Sequence, residues 1–446
     1  HMETNVLVIG GSAAGIMAAV SAKRHYPKKN ITVVRKEDKV LIPCGIPYTM
    51  GTIDELENNI IPDTAVTAKN IDLIIDKVVN IDTNTNQAIL ETKENIKYDK
   101  LVLATGSKPL QPPIKNLDVD GVFSIRKNFK QLQAIKNRLN NIDDLVIIGG
   151  GFIGIEFADE CRKNRDINIS IIEIMNHLLS LVCDDKICCK VEDKLSENGV
   201  EVHDNSKVTK IIGDKKVKGV KLEDGRELPA DMVILAAGVI PNTELAEKAG
   251  LKYDSKNGIA VDDYMKTSEP DIFACGDCVE KPSFFGENFE AGKLASIATN
   301  EGRIAGTNLF NLKRKKQNSI GIFATIIDGL AIGVAGLTKK QAENEGINVV
   351  TGEAEAINRH PADMPGAVKL GVRLVFKEYD GTLIGAQVYG GDSVGEFTNI
   401  LGLVIAKNMT AEDIATMQVG THPALTASPI SYQLINAAEE AVIKLS

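Results

Sequence analysis

The most constraining feature of the chain is a pair of glycine clusters, each at the end of a short apolar run. The first reads VLVIGGSAAG and closes at Gly15; the second reads LVIIGGGFIG and closes at Gly154. A strand that stops at closely spaced glycines and resumes as a helix lets a pyrophosphate approach the backbone. The helix N-terminus then faces its negative charge. Two such units predict an α/β fold with two Rossmann-like nucleotide-binding domains.

The flanking sequence repeats in step. Strand signals from Asn5 to Ile9 and from Ile31 to Val34 frame a helix running to about His25. Signals from Leu145 to Ile148 and from Ile169 to Glu173 frame another, running to about Lys163. Each unit is followed by an apolar strand ending in a glycine turn: LVLATGSKP, with Ala104, Thr105 and Gly106, and ILAAGVIPN, with Gly238. Beyond Lys316 the pattern becomes hairpin-like, with Asp380-Gly381 as a turn signal. Helices are predicted over 393–406 and 431–445, and this last part reads as a separate α+β domain.

The second cluster fits G-x-G-x-x-G at Gly149, Gly151 and Gly154, with Phe152 and Ile153 between, and Glu173 follows 22 residues after Gly151. A carboxylate there accepts ribose hydroxyls and repels a 2′-phosphate, favouring NADH over NADPH. A tight turn without ligand is the alternative, and the agreement of several features outweighs it. The first cluster is less regular. Gly10, Ala14 and Gly15 are in place, Ser12 replaces the middle glycine, and Arg35, next to Lys36, stands where an acid is expected. Binding is still predicted, with backbone groups or Lys36 serving the ribose.

Between the clusters lies Cys44, in LIPCGIPY, with no other cysteine until Cys161. A lone cysteine is usually a small buried hydrophobe. A helix starting at Pro43-Cys44 would instead favour thiolate and lower the thiol pKa. Two dinucleotide sites beside one thiol imply electrons passing from a nicotinamide, through a flavin, to sulfur. The other cysteines are read as packing. Cys275 and Cys278 have redox spacing but sit in EPDIFACGDC, where Gly276-Asp277 has another use. Cys183, Cys188 and Cys189 have no histidine at ligand spacing, so no metal site is predicted. His422, in VGTHPALTASP, is a candidate proton donor near neutral pH or else a loop histidine; His360 is a weaker candidate of the same kind.

Composition excludes other classes. A net charge of -9 argues against a nucleic-acid partner, and the basic run Lys313 to Lys316 reads as a solvated loop. No apolar stretch reaches the ~20 residues of a membrane helix, so no membrane association is predicted. Seven cysteines, an odd number without a recognisable secretion signal, point to reduced thiols and a cytoplasmic location.

GGSAAG, LVLATGSKP, GGGFIGIE, AAGVIPNTEL and EPDIFACGDC together resemble the FAD-dependent pyridine nucleotide-disulfide oxidoreductases along essentially the whole chain. The lone cysteine resembles the branch of coenzyme A-disulfide reductases, NADH oxidases and peroxidases, and persulfide reductases. Thr49, five residues after Cys44, excludes the paired-cysteine chemistry of the glutathione-reductase branch.

The resemblance implies FAD bound by 1–112 and 241–318, NADH bound by an inserted domain over 113–240, and homodimerisation through 319–446. It implies FAD contacts from Pro43, Val79, Gly276, Asp277 and Ala295 besides the first glycine turn. Asp277 would meet the ribityl chain, Phe152 would gate the flavin, and Glu156 would set the local charge. Ala13 stands where oxidases and peroxidases usually carry a histidine, which favours a sulfur substrate, possibly coenzyme A-linked. Lys23 and Arg24 would then be phosphate contacts. Asp363 and Met364 replace the tyrosines usual in the coenzyme A-disulfide reductases, which leaves His422 as proton donor, although Ala427 replaces the acid that usually follows it. Reduction of oxygen or peroxide through a Cys44 sulfenic acid, and electron donation to a small redox protein, are the alternatives.

Overall fold

A computed structural model describes residues 2–446. Five parallel strands form the heart of the first sheet, in the order Asp72–Ile75, Ile31–Arg35, Met2–Ile9, Asn95–Leu103 and Ile272–Ala274. Val6, Leu7, Leu101 and Val102 are fully buried, because a parallel sheet covered on both faces hides both sides of every strand. Each such side chain contributes roughly 1.5–3 kcal/mol. A meander, Val78–Asp82 and Gln87–Leu90, joins the sheet antiparallel to the first half of Asn95–Leu103.

The last of these strands arrives only after the chain has built a second parallel sheet. Its order is Val122–Ser124, Met232–Leu235, Asp144–Ile148, Asn168–Ile172, Val200–His203. On the chain's return, the helix Ala295–Asn308 packs tightly on the helix Ala13–His25. A Cβ at Gly302 would lie 2.4 Å from the Ala14 carbonyl oxygen, and one at Gly306 2.3 Å from that of Ala18. Distant segments thus close one unit around the first glycine turn.

The C-terminal part is an antiparallel sheet ordered Ile322–Ile327, Leu330–Gly336, Leu383–Gly390, Lys369–Lys377, Val349–Ile357. Asp380-Gly381 makes the expected turn: Gly381 has φ +70° and the Asp380 carboxylate accepts the Thr382 N–H at 2.9 Å. The predicted helices form as Val394–Ala406 and Gln433–Leu445. The second starts late because Pro429–Ser431 makes a 3-10 turn. The fold is α/β, with two Rossmann-like units and a C-terminal α+β unit.

Candidate active site

The two glycine turns share a backbone. Gly10 has φ +117° and Gly149 φ +113°. A Cβ at Gly15 would stand 1.9 Å from the Gly10 oxygen, and one at Gly154 1.9 Å from that of Gly149. Only glycine permits that approach. Ser12 and Gly151 are the N-caps of the following helices, neither helix has a side-chain cap bond, and neither has an acid in its first turn. Their first N–H groups are therefore left for an anionic ligand. No atom lies within 4 Å of where a Cβ would stand on Gly151, Gly106 or Gly238, so their backbones are open to a ligand. These cradles fit the pyrophosphates of two dinucleotides.

Glu173 ends just past its strand, where one carboxylate oxygen accepts the Gly150 N–H at 2.7 Å and the other the Met175 N–H at 2.8 Å. Arg35, read as a cofactor contact, stands at the tip of the strand beside the first glycine turn, where a Cβ on Gly11 would meet its Cδ at 2.6 Å. Its side chain is 3% exposed and pairs with Asp63 at 2.7 Å. It also donates to the Glu37 and Asp38 carbonyls. Its guanidinium is spent on the loop that leads to Cys44. Lys36 is exposed and within 3.9 Å of Glu37.

Cys44 lies on a 3-10 turn, Pro43–Gly45, followed by another, Pro47–Met50. No longer helix begins there, and the expected lowering of the thiol pKa is not found. Cys44 is exposed as a residue, yet its surroundings desolvate the sulfur. That desolvation, and then Glu156, push the thiol above its ordinary value, while Lys127 opposes them and Asp277 adds to the rise. The loop is held by Asn59, which is buried and donates to the Ile42 carbonyl at 3.0 Å. A Cβ at Gly45 would collide with Asn59 at 2.0 Å.

Glu156 reaches this loop from the second glycine unit. Burial pushes its carboxyl up to about 7, against the hydrogen bond from Thr325, with Glu160 raising it further. Thr325 Oγ1 donates to Glu156 Oε1 at 2.7 Å. Burial, then Glu156, push Tyr48 up to about 12, again opposed by a hydrogen bond with Thr325. Phe152 packs edge-on against Phe323, with ring centroids 4.5 Å apart. Thr325 and Phe323 both belong to the first strand of the C-terminal sheet, so all three units meet around Tyr48 and Glu156, next to the Cys44 turn.

Asp277 Oδ2 accepts from Ser107 Oγ at 2.9 Å and lies 3.6 Å from Lys127 Nζ. Gly276 has φ +86°, and a Cβ on it would meet that of Ala14 at 2.7 Å, which seats this turn on the first fingerprint. The Gly276 N–H is held at 2.8 Å by Glu301, a fully buried carboxylate paired with Lys281 at 3.0 Å and Lys316 at 2.6 Å. Lys316 is therefore not part of a solvated loop. Two cations compensate the charge that would otherwise make burying Glu301 costly.

The remaining assignments divide. Ala104 continues the strand tip, with its N–H bonded to the Ile9 carbonyl at 2.8 Å, and Thr105 Oγ1 donates to the Asn242 carbonyl at 2.7 Å. Ala295 is the first residue of its helix, which has no side-chain cap bond. Val79 lies on the antiparallel meander, its carbonyl accepting from Lys248 at 3.3 Å. Lys23 donates to the Lys29 carbonyl at 3.1 Å, and Arg24 is exposed. Cys275 and Cys278 are fully buried, and burial pushes both thiols up, which makes them inert.

His422 is exposed, with Nδ1 accepting the Ala424 N–H at 3.1 Å. The His360 ring bonds the Thr426 carbonyl at 3.1 Å, and the His360 backbone N–H donates to the Pro423 carbonyl, so the two histidine loops form one unit. No hydrogen bond joins either to Cys44 among the described residues. Lys127, Ser107, Tyr48, Phe323, Thr325 and Glu301 were not singled out from the sequence, because nothing local to them signals their partners. Of the metal reading, Cys183 precedes the helix Asp185–Glu197, and the fold brings His177 beside Cys189 and Glu192.

The sequence matches the model of the pyridine nucleotide-disulphide oxidoreductases over residues 4–302 and that of the family's dimerisation domain over residues 322–430. It is 33% identical to an NADH oxidase of Methanocaldococcus jannaschii, over 99% of each chain. It is 30% identical to an NAD(P)H coenzyme A polysulfide/persulfide reductase of Pyrococcus horikoshii, over 92% of this chain and 93% of the relative. The solved NAD-dependent persulfide reductase of A. fulgidus superimposes with a TM-score of 0.91 at 30% identity, covering 99% of this chain and 83% of that one. Matched by family over both its nucleotide-binding and C-terminal parts, the chain belongs to the pyridine nucleotide-disulphide oxidoreductases, as an FAD- and NAD(P)H-dependent flavoprotein enzyme.

Proposed function

We propose that the protein carries electrons from NADH through FAD to Cys44 and on to a small sulfur acceptor: coenzyme A disulfide, a persulfide or a polysulfide. The observation that carries this reading is one exposed thiol on an anchored loop, with Lys127 beside it and a buried threonine, Thr49, in place of a second cysteine. Bound FAD would accept hydride from NADH and supply two electrons at the thiol; the first glycine turn, the Asp277 turn and the Ala295 helix start would hold it. Glu173 favours NADH over NADPH.

Cys44 reacts as thiolate, and Lys127 offsets part of what Glu156 and Asp277 do to oppose ionisation. Its sulfur attacks the acceptor's S–S bond, forming a mixed disulfide and releasing one thiolate or hydrosulfide. Two electrons and one proton then cleave the mixed disulfide, regenerating the Cys44 thiolate and a second thiol. The exposed His422 loop supplies that proton by reaching the site of a second copy, which fits a homodimer built through the C-terminal unit. Seven unpaired cysteines fit a reducing, cytoplasmic compartment, and no helix among the described residues is long and apolar enough to cross a membrane.

The test is anaerobic rapid mixing. NADH-reduced protein should be reoxidised quickly by these acceptors, and Cys44→Ser should abolish that step while leaving flavin reduction by NADH intact. Parental rates in Cys44→Ser would sink the reading. His422→Ala should slow turnover without loss of FAD. Reduction of oxygen or peroxide is the second reading, supported by the similarity to NADH oxidases. Fast reoxidation by oxygen, with slow reoxidation by every sulfur compound, would establish it.

A further inference from the structure

We propose that His177, Cys189 and Glu192 form a binding site for a divalent cation of the zinc type. One imidazole nitrogen, one thiol sulfur and one carboxylate oxygen lie within 4.8 Å of one another. The sequence hides this set. Cys189 and Glu192 stand three residues apart on the helix Asp185–Glu197, hence on one face. His177 arrives from the segment that follows Glu173, with no fixed spacing to either.

The carboxylate is already oriented. Glu192 Oε1 accepts the Leu178 N–H at 2.9 Å, and Oε2 lies 3.1 Å from His177 Nδ1. Cys189 is exposed and open to an arriving ion. Tetrahedral zinc bonds of ~2.0–2.3 Å put ligand atoms roughly 3.3–3.8 Å apart. Closure thus asks about 1 Å of the widest pair, within the rotation of an exposed cysteine side chain. A histidine–glutamate hydrogen bond accounts for two of the three groups; the cation accounts for all of them.

Charge agrees with the geometry. One thiolate and one carboxylate neutralise a dication, and the imidazole binds neutral. Binding replaces the S–H bond with an S–metal bond and releases the proton to solvent, so affinity rises with pH. Water completes the fourth position. The site abuts the second glycine turn, because the Leu179 N–H donates to the Gly150 carbonyl at 2.9 Å. A bound cation would therefore clamp this segment to the helix.

The experiment uses FAD-loaded protein carrying Cys44→Ser, which removes the other exposed thiol. Calorimetry with Zn²⁺ should give one ion per chain, Zn²⁺ should raise the Tm, and Co²⁺ should show a thiolate-to-metal charge-transfer band. Adding Cys189→Ser should abolish that band. Cys189→Ser and, separately, His177→Ala should each weaken binding by at least ~10–100-fold, since even outer-shell changes do this. Glu192→Gln, which keeps the shape and an acceptor for Leu178, covers the case in which His177→Ala unfolds. No bound zinc, zinc binding that survives Cys189→Ser, or a cobalt spectrum without the thiolate band would overturn the proposal.

Discussion

The two glycine turns are near copies in backbone and opposites in charge. Both place a glycine at φ near +115° beneath a strand-tip alanine, Ala104 in one and Ala236 in the other, and both close with the same 1.9 Å approach. At the tip of the next strand one carries Arg35, buried over Gly11 and paired with Asp63, and the other Glu173, folded back on the Gly150 N–H. Backbone N–H groups and a helix end meet a pyrophosphate, and these do not depend on the neighbouring side chain. Recognition of a sugar would depend on it, and there the two turns differ.

The harshest way to break the comparison is to add one methyl group to each turn. Gly154→Ala should raise the NADH concentration needed for flavin reduction at least ~100-fold, or ~2.7 kcal/mol, with FAD retained. Gly15→Ala should instead lose FAD, read directly from the flavin absorbance. If both variants lose the same cofactor, the division of labour is wrong.

Glu156, where the second unit meets Cys44, sharpens it next. Its carboxyl is raised from 4.5 to about 7 in the fold, so the folded protein holds that proton more tightly than the unfolded chain. Its contribution to stability is full below pH 4.5 and lost as pH rises through about 7. The swing is on the order of 1–3 kcal/mol. Glu156→Gln should flatten the denaturation midpoint over that window. It should also shift Cys44 alkylation to lower pH, since a raising charge is removed.

A smaller effect should follow from Glu173→Gln, which narrows the preference for NADH over NADPH about tenfold, or ~1.4 kcal/mol. Competition kinetics with the two nucleotides would expose a wrong assignment as an unchanged ratio. The smallest belongs to Arg35→Gln. It should leave FAD content unchanged and lower the Tm by a few degrees, because the lost pair reaches a half-exposed Asp63 and is worth ~1 kcal/mol. Loss of FAD would make Arg35 a cofactor contact as well.

Much of the frame was legible in the residues. Both glycine turns, the hairpin at Asp380-Gly381 and the isolation of Cys44 are local signals, set by backbone freedom and strand periodicity. Reading Cys44 as helix-capped failed for a local reason too: Pro47 would fall inside a helix begun at Pro43, where its missing N–H and its ring interrupt the turns, and the chain makes two short 3-10 turns instead. Lys316 was misread because a basic run carries no mark of the one member that turns inward. Thr325 and Phe323, more than 160 residues beyond Glu156 and Phe152, had no signal at all.

By itself, then, the sequence determined two dinucleotide cradles, the isolation of Cys44 between them and an α/β fold with an added C-terminal sheet. Those depend on steric rules that act over a few residues. Only the tertiary structure decided the electrostatics: which carboxylate presses on Cys44, which arginine is spent on a loop, which lysine sinks beside Glu301, and which histidine meets Cys189. Charge–charge energies depend on separation in space and on burial, and chain distance encodes neither.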